Sequence, residues 1–387
     1  MARTSLFPQK GSQATNSSAR TAGKLKNIAE NIKSGAAMRQ KENTSKRNPE
    51  KSVNPENFVS TGSTLLNLVL TDRKDAGFRK GRIVNLVGDS SAGKSFLALT
   101  VLAEAAHSPE FDDYRLIYDD AENALCFNME KLFGKKASKR IDTTIKSDTV
   151  QKWKKNMVRL VEEGVPFLYV LDSFDSLTSV EALDRAIKAA KSDGDEGGSY
   201  KTEKPRIGSE TASMIVEPIA ETGSILIIVS QTRDNIGVTF GEKKTRSGGK
   251  WLQFYSTHVP WMAITERDRH EVSVNGKKVK RTVGVHTRVR CKKNKVTGKE
   301  RECDIKISYD YGIDNIYSNI KFLVDSGTWS SGYIDPDGIA DEKMKADDLR
   351  QYVEDNDLEE ALAELVEETW HKIEEAFVSK ERKPKYE

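Results

Sequence analysis

Between residues 81 and 232, near-continuous apolar runs alternate with amphipathic stretches. "GRIVNLVG" (81–88), "RLIYDDAE" (115–122), "PFLYVLDS" (166–173) and "SILIIVSQT" (224–232) read as strands apolar on both faces. "SFLALTVLAEAA" (95–106), "VQKWKKNMVRLVEEG" (150–164) and "SETASMIVEPIAETG" (209–223) read as helices, the second with Trp153, Met157, Leu160 and Val161 on one face. Strands buried on both sides and separated by helices predict an α/β fold built on a mostly parallel sheet. Ligands of such sheets sit at the carboxyl ends of the strands. After residue 265 the pattern becomes antiparallel: "VSVNGKKVKRTV" places an Asn-Gly turn between alternating segments, and "TRVRCKKNKVTGKERECDIKIS" reads as a second hairpin. From about residue 335, "DDLRQYVEDNDLEEALAELVEETWHKIEEAF" predicts a small acidic, helical closing domain. Residues 1–57 hold little from which to build a core and are expected to be disordered, apart from a helical stripe near 22–38 (Leu25, Ile28, Ala29, Ile32, Ala36). A helix that short needs something to pack on.

Composition narrows the class. The 387 residues are 37% hydrophobic and 31% charged, with no run approaching a membrane span and no apolar leader at the amino terminus. A soluble cytoplasmic protein is expected, and three cysteines without metal-type spacing fit a reducing compartment. The net charge of +3 conceals polarity: residues 1–57 carry eleven Lys or Arg against four Glu, while residues 335–387 carry eight against eighteen acids. Such polarity suits a polyanionic partner for which the acidic end competes, and suits two solvated ends equally well.

The chemistry begins at "GDSSAGKS", where Gly88, Asp89, Ser90, Ser91, Ala92, Gly93, Lys94 and Ser95 form a G-x-x-x-x-G-K-S loop between a strand and a helix. Its backbone N–H groups cradle phosphates, Lys94 adds a point charge and the Ser95 hydroxyl is placed for Mg²⁺, so ATP and Mg²⁺ are the expected cofactors. Asp172 ends the strand "FLYVLD", where a metal-orienting acid belongs; the competing reading is a turn residue. Glu122 ends the preceding strand and is placed to orient or deprotonate an attacking water, with Asp119 and Asp120 as rivals. Gln231, at the end of "IVSQT", is placed to sense a terminal phosphate and to pass its state to "IGVTFGEKKTRSGGK" (236–250). Lys293 and Lys295 lie two apart on an expected strand and so share a face, which is a solvated edge unless it meets another subunit's phosphates.

These motifs, in this order, resemble the RecA-type recombinases. "STGSTLLNLVL" and "GRIVNLVGDSSAGKS" are similar to the family's entry segment and phosphate loop, "IYDDAENAL" to its catalytic-glutamate segment, and "LDSFDSL" to its metal-site strand. "SQTRDNIGVTFGEKKTRSGGKWLQFY" resembles the sensor glutamine running into the second DNA loop, and "TRVRCKKNK" the strand that reaches the neighbouring protomer. The resemblance implies a P-loop, RecA-like core over 58–334, with DNA loops near 185–209 and 232–250, a docking helix in the extension and a small acidic α/β domain over 335–387. It further implies ATP-dependent helical self-assembly on single-stranded DNA, pairing with double-stranded DNA, and strand exchange. Glu122 would activate water, Asp172 would help hold Mg²⁺, Gln231 would sense the terminal phosphate, and Lys293 and Lys295 would complete the neighbour's site in trans. Arg233, Ile236, Val238, Phe240, Gly248 and Gly249 fall in the second DNA loop, where Arg246 and Lys250 are the favoured phosphate contacts. Cys126 and Met129 stand where bacterial members carry an acid and an aromatic against adenine, and the first loop is long and acidic ("DGDEGG"), departures that fit a divergent member. A ring helicase shares the phosphate loop and glutamine but not the lysine pair, and a small-molecule kinase leaves both basic loops without a purpose.

Overall fold

The computed structural model describes residues 54–192, 203–234 and 244–377. The chain enters through a two-residue strand β1 (Phe58–Val59), helix α1 (Thr64–Thr71) and β2 (Phe78–Arg79), which pairs with β1. The alternating segment follows as β3 (Arg82–Gly88), α2 (Lys94–His107), β4 (Arg115–Asp120), α3 (Met129–Arg140), β5 (Ile141–Asp142), α4 (Val150–Glu163), β6 (Phe167–Asp172), α5 (Val180–Ser192), α6 (Glu203–Thr222) and β7 (Ile225–Asp234). The antiparallel part comprises β8 (Lys244–Arg246), α7 (Trp251–Tyr255), β9 (Ser256–Val274), β10 (Lys277–Asn294), β11 (Arg301–Ser308) and β12 (Gly312–Asp314). Helices α8 (Asn315–Asp325), α9 (Ala346–Asp355) and α10 (Glu359–Phe377) close the described chain.

One sheet runs in the order β12-β11-β10-β9-β3-β7-β6-β4-β5, with β8 paired to β7. Its β9-β3-β7-β6-β4-β5 portion is parallel and the remaining pairs are antiparallel. The pleat sends alternate side chains of each apolar strand to opposite faces. On β6, Leu168 and Val170 join a core with α1 and α2, while Phe167, Tyr169 and Leu171 join a second core with Trp153 and Met157 of α4 and Ile215 of α6. Helix α4 starts on the Thr149 side chain, which accepts the Lys152 N–H, and stops at Gly164 in the left-handed region.

Three expectations change. The strand expected to reach Glu122 ends at Asp120, so Glu122 sits in the following turn. The segment expected to begin helix-like and to run on as a loop to residue 209 is helix to Ser192 in α5 and helix again from Glu203 in α6, so only the loop's far end changes; 193–202 lie outside the described residues, as does the extension with its 22–38 stripe. The closing helices do not build a core of their own, because Leu349, Val353, Leu362, Val366 and Trp370 are buried in the same cluster as α1 and α2. Part of the acidity there is spent at home: Glu374 pairs with Lys299 at 2.9 Å and with Arg301, and Glu367 accepts the Lys74 N–H at 3.1 Å. Among the described residues no helix is long and apolar enough to cross a membrane.

Candidate functional site

Strand register sets the site. Gly88 pairs with Gln231 across β3–β7, and Asp120 with Asp172 across β4–β6, so the ends of four strands bring the phosphate loop, the metal candidate and the glutamine to one edge. Gly88 lies against β9, where an added Cβ would meet the Met262 carbonyl oxygen at 2.5 Å. Gly93 adopts φ +89 at the amino end of α2, and a Cβ there would strike Ile307 at 2.2 Å. Both glycines are therefore fixed by close approach, and the second by its backbone conformation as well. Ser91 also takes a positive φ of 63°.

Lys94 is buried in the first turn of α2, and its ammonium donates to the Asp89 carbonyl oxygen at 2.7 Å. Burial lowers its pKa, while the charges of Asp172, Glu122, Asp89 and Asp175 oppose that shift. A buried ammonium facing carboxylates and bonded only to the curled loop is ready to take up an anion. Burial likewise pushes the Asp172 carboxyl up; hydrogen bonds from Ser95 and from Tyr118, whose hydroxyl lies at 2.6 Å, hold it down, and the Glu122 charge pushes it up again. Asp172 and the Ser95 hydroxyl thus face each other as the sequence requires of a hard, oxygen-ligated cation.

The three acids of "YDDAE" separate into roles. Asp119 is buried on the opposite face, accepting from the Ser147 N–H at 2.7 Å, the Ser147 hydroxyl at 2.5 Å and the Tyr169 hydroxyl. Asp120 caps the next turn through the Ala124 and Leu125 N–H groups at 3.1 and 3.0 Å. Only Glu122 turns to the strand ends, where its Oε1 accepts from Ser173 at 2.6 Å, Ser176 at 3.2 Å and Gln231 Nε2 at 3.2 Å. The glutamate and the glutamine expected to act on one phosphate are therefore in direct contact.

The family model for the RecA N-terminal domain matches residues 19–314. The chain belongs to the RecA family. It is 28% identical over 315 residues to the Protein RecA of Streptococcus thermophilus, covering 79% of this chain and 75% of that one. It is 28% identical over 340 residues to the Protein RecA of Streptococcus agalactiae serotype III (strain NEM316), covering 86% and 80%.

Within this RecA-family fold, the segment after Gln231 leaves and returns through a short ribbon, with Thr232 opposite Arg246 and Asp234 opposite Lys244. Two carboxylates tie this ribbon to the Gly88–Ser95 loop and to β6: Asp89, expected as a loop residue but not for this role, and Asp175, which sequence reasoning missed. Asp89 accepts from the Thr232 hydroxyl and pairs with Lys244. Burial opposes ionisation of Asp89, but the Lys244 and Thr232 hydrogen bonds prevail and lower its pKa. Asp175 accepts the Gln231 backbone N–H at 2.7 Å and the Ser247 hydroxyl, and Ser247 N–H donates to the Gln231 carbonyl at 3.2 Å. The spacing of Asp172 and Asp175 in "LDSFDSL" was the only signal for the second acid. Lys204 supports it from α6, donating to the Asp175 and Leu177 carbonyls at 2.7 Å each, and burial lowers its pKa to about 8.

The expected nucleic-acid contacts divide. Arg233 and Lys250 are exposed. Arg246 is half-buried, reaching Asn85 Oδ1 at 3.2 Å and Gln253 Oε1 at 3.5 Å, which turns its guanidinium inward. Gly248 and Gly249 both hold left-handed φ (+88 and +91), with Leu252 and Pro205 filling the space where side chains would stand. They shape the turn into α7. Ile236, Val238 and Phe240 lie outside the described residues.

The lysine pair is not on one strand face. β10 ends at Asn294 after a bulge between Cys291 and Asn294, so Lys293 is a half-buried position before Asn294 turns inward, and Lys295 is exposed and begins the turn. The bulge breaks the two-residue alternation that the sequence expectation assumed. Lys293 donates to the carbonyls of Gln253 and, at 3.3 Å, Phe254 at the end of α7, in a groove of about 300 Å³ that also holds Arg246 and Lys292. Burial, then repulsion from Lys295 and Arg246, lowers its pKa to about 8. Of the two residues compared with the family's adenine contacts, Met129 packs partly against the core and Cys126 is exposed, while Phe127 stands edge-on to Phe96 at 5.3 Å.

Proposed function

We propose that this chain is an ATP-dependent recombinase that assembles on single-stranded DNA, pairs it with homologous duplex, and hydrolyses ATP where protomers meet. The observation that carries the reading is the 3.2 Å contact between Glu122 and Gln231, because Gln231 is continuous with the ribbon pinned by Asp89 and Asp175. In this reading Gly88–Ser95 wraps the phosphates and Lys94 gives up the Asp89 carbonyl for the terminal phosphates. Glu122 holds water for in-line attack, keeping the serine hydroxyls of Ser173 and Ser176 as its other partners. Mg²⁺, held by Ser95 and Asp172, would neutralise charge on the phosphate oxygens. That donor set fits: the Asp172 carboxylate accepts from the Ser95 hydroxyl, and Mg²⁺ takes one or two protein oxygens beside phosphates and water. Gln231 shifts from Glu122 to the phosphate, and the ribbon formed by 232–234 and 244–246 moves with it. Among the described residues neither Lys293 nor Lys295 forms an ion pair, an arrangement that suits a neighbour's terminal phosphate.

Electron microscopy of the protein with ATP and single-stranded DNA tests the assembly. Continuous helical filaments are expected; closed rings would instead indicate a ring motor. For the DNA loop, Lys250→Ala is expected to lower the salt dependence of single-strand affinity by about 0.7 of a log–log unit, the value of one phosphate contact. Arg246→Ala is expected to disturb the Asn85–Gln253 contacts and the loop base instead. An unchanged slope for Lys250→Ala returns that residue to solvent.

A further inference from the structure

A groove of about 300 Å³ opens between the ribbon strand β8, the short helix α7 and strands β9 and β10, and its charge is one-sided. Arg246, Lys292 and Lys293 line it against a single acid, Glu300. Glu300 is already occupied, by Arg290 at 2.8 Å, and the Lys292 ammonium stands over the Trp261 ring at 4.0 Å. Arg246 and Lys293 are left with neutral partners. The guanidinium reaches Asn85 Oδ1 at 3.2 Å and Gln253 Oε1 at 3.5 Å, and among the described residues it forms no ion pair. The Lys293 ammonium rests on the Gln253 and Phe254 carbonyls. One residue, Gln253, therefore receives both cations, its side chain taking Arg246 and its main chain Lys293.

Two cations converging on one glutamine repel each other, and Arg246 is among the charges that lower the Lys293 pKa. Burial lowers the pKa of Arg246 as well, with no carboxylate opposing it. Half-buried cations whose only partners are amide and carbonyl oxygens keep much of their desolvation cost, and an anion placed between them recovers it. A guanidinium fork directs two N–H groups at two oxygens of one phosphate, which a lysine cannot do. The anion has to come from outside the protomer's own nucleotide site, since no lining residue of the groove belongs to Gly88–Ser95. Single-stranded DNA is the poorer candidate: Arg233 and Lys250 are exposed on either side of the same loop, whereas Arg246 turns away toward β3 and α7.

We propose that Arg246 joins Lys293 as a second cation acting on the terminal phosphate of the neighbouring protomer's nucleotide. The proposal rests on the reading of Lys293 as a residue that works across the interface. It adds a link that the lysine alone lacks. β8 pairs with β7 at Thr232, the residue after Gln231, and Lys244 at the other end of β8 holds Asp89 of the phosphate loop. One short strand thus touches the protomer's own phosphate loop at Lys244 and the neighbour's phosphate at Arg246. Moving Arg246 from Asn85 and Gln253 to that phosphate shifts the ribbon of 232–234 and 244–246, which then responds to the nucleotides on both sides.

The test measures single-strand-stimulated ATP hydrolysis of the full chain for R246Q, R246K and mixtures of variants. Glutamine can keep hydrogen bonds to Asn85 and Gln253 and removes only the charge, so R246Q separates the cation from the structural contact. R246Q is expected to fall about 10²-fold, in kcat rather than KM, and R246K to recover at least about tenfold of that loss. Mixing R246Q with K94A protomers is expected to raise turnover at least about tenfold over either alone, because a K94A protomer supplies Arg246 and Lys293 to an intact phosphate loop. Mixing R246Q with K293A is expected to restore nothing, because both faults lie on the same face. Hydrolysis by R246Q within about threefold of wild type would overturn the proposal. So would the opposite complementation, with K293A restoring R246Q and K94A not, which would assign Arg246 to its own protomer. A single-strand salt slope lower by about 0.7 in R246Q without nucleotide would assign it to a DNA phosphate instead. If K94A restores K293A but not R246Q, the proposal alone fails; if it restores neither, the reading of Lys293 fails with it.

Discussion

Lys94→Ala is expected to reduce ATP turnover by about 10³-fold or more, to the background of the assay, with and without DNA. Lys94 is the buried cation of the loop, and Asp172, Glu122, Asp89 and Asp175 all act on its charge. Removing it leaves four carboxylates facing the space of a polyphosphate with no cation from the loop between them. Repulsion then weakens nucleotide binding as well as the chemical step. A steady-state phosphate-release assay with a parallel nucleotide-binding titration checks this. Turnover within tenfold of wild type would show that the phosphates are held elsewhere.

The second large effect is expected at Lys293. Lys293→Ala should lower DNA-stimulated hydrolysis by about 10³-fold, the scale of other cations supplied in trans, while one protomer still binds ATP. Its ammonium now rests on the Gln253 and Phe254 carbonyls, in a groove none of whose lining residues belongs to the phosphate loop. With a pKa lowered to about 8 by burial and by its cationic neighbours, the side chain loses its charge as pH rises through that range. A neighbour's phosphate raises that midpoint, so the stimulated rate of the wild type is expected to decline from above pH 8. Lys293→Arg, whose guanidinium stays charged, should flatten the decline. Equal losses of ATP binding and turnover in Lys293→Ala would mark a local structural role for the residue. Mixing Lys293→Ala protomers with Lys94→Ala protomers separates the two positions further, since a mixed interface restores one complete site only if the lysine acts across it.

Much of this was legible in the chain. The apolar runs defined the parallel strands because burial on both faces leaves few other patterns, and the glycine spacing of 88–95 marked the tight turn between β3 and α2, where Ser91 and Gly93 hold positive φ. The order of motifs gave the family resemblance, which the match over residues 19–314 bears out. Asn275-Gly276 marked its hairpin for the same local reason, a turn that demands positive φ at both positions. What depends on one residue and its immediate neighbours can be read in this way.

Only the tertiary structure decided which of Asp119, Asp120 and Glu122 faces the strand ends: Asp119 and Asp120 alternate across β4, and the turn after the strand brings Glu122 to Gln231. It also decided that Arg246 turns inward, that β10 ends in a bulge at Lys293 with Lys295 beyond the strand, and that the closing helices share the main core. The pairings of Asp89 with Lys244 and of Asp175 with Ser247 join positions 155 and 72 residues apart. Sequence sets the character of each element; the register between strands, which no local pattern encodes, sets which charges meet.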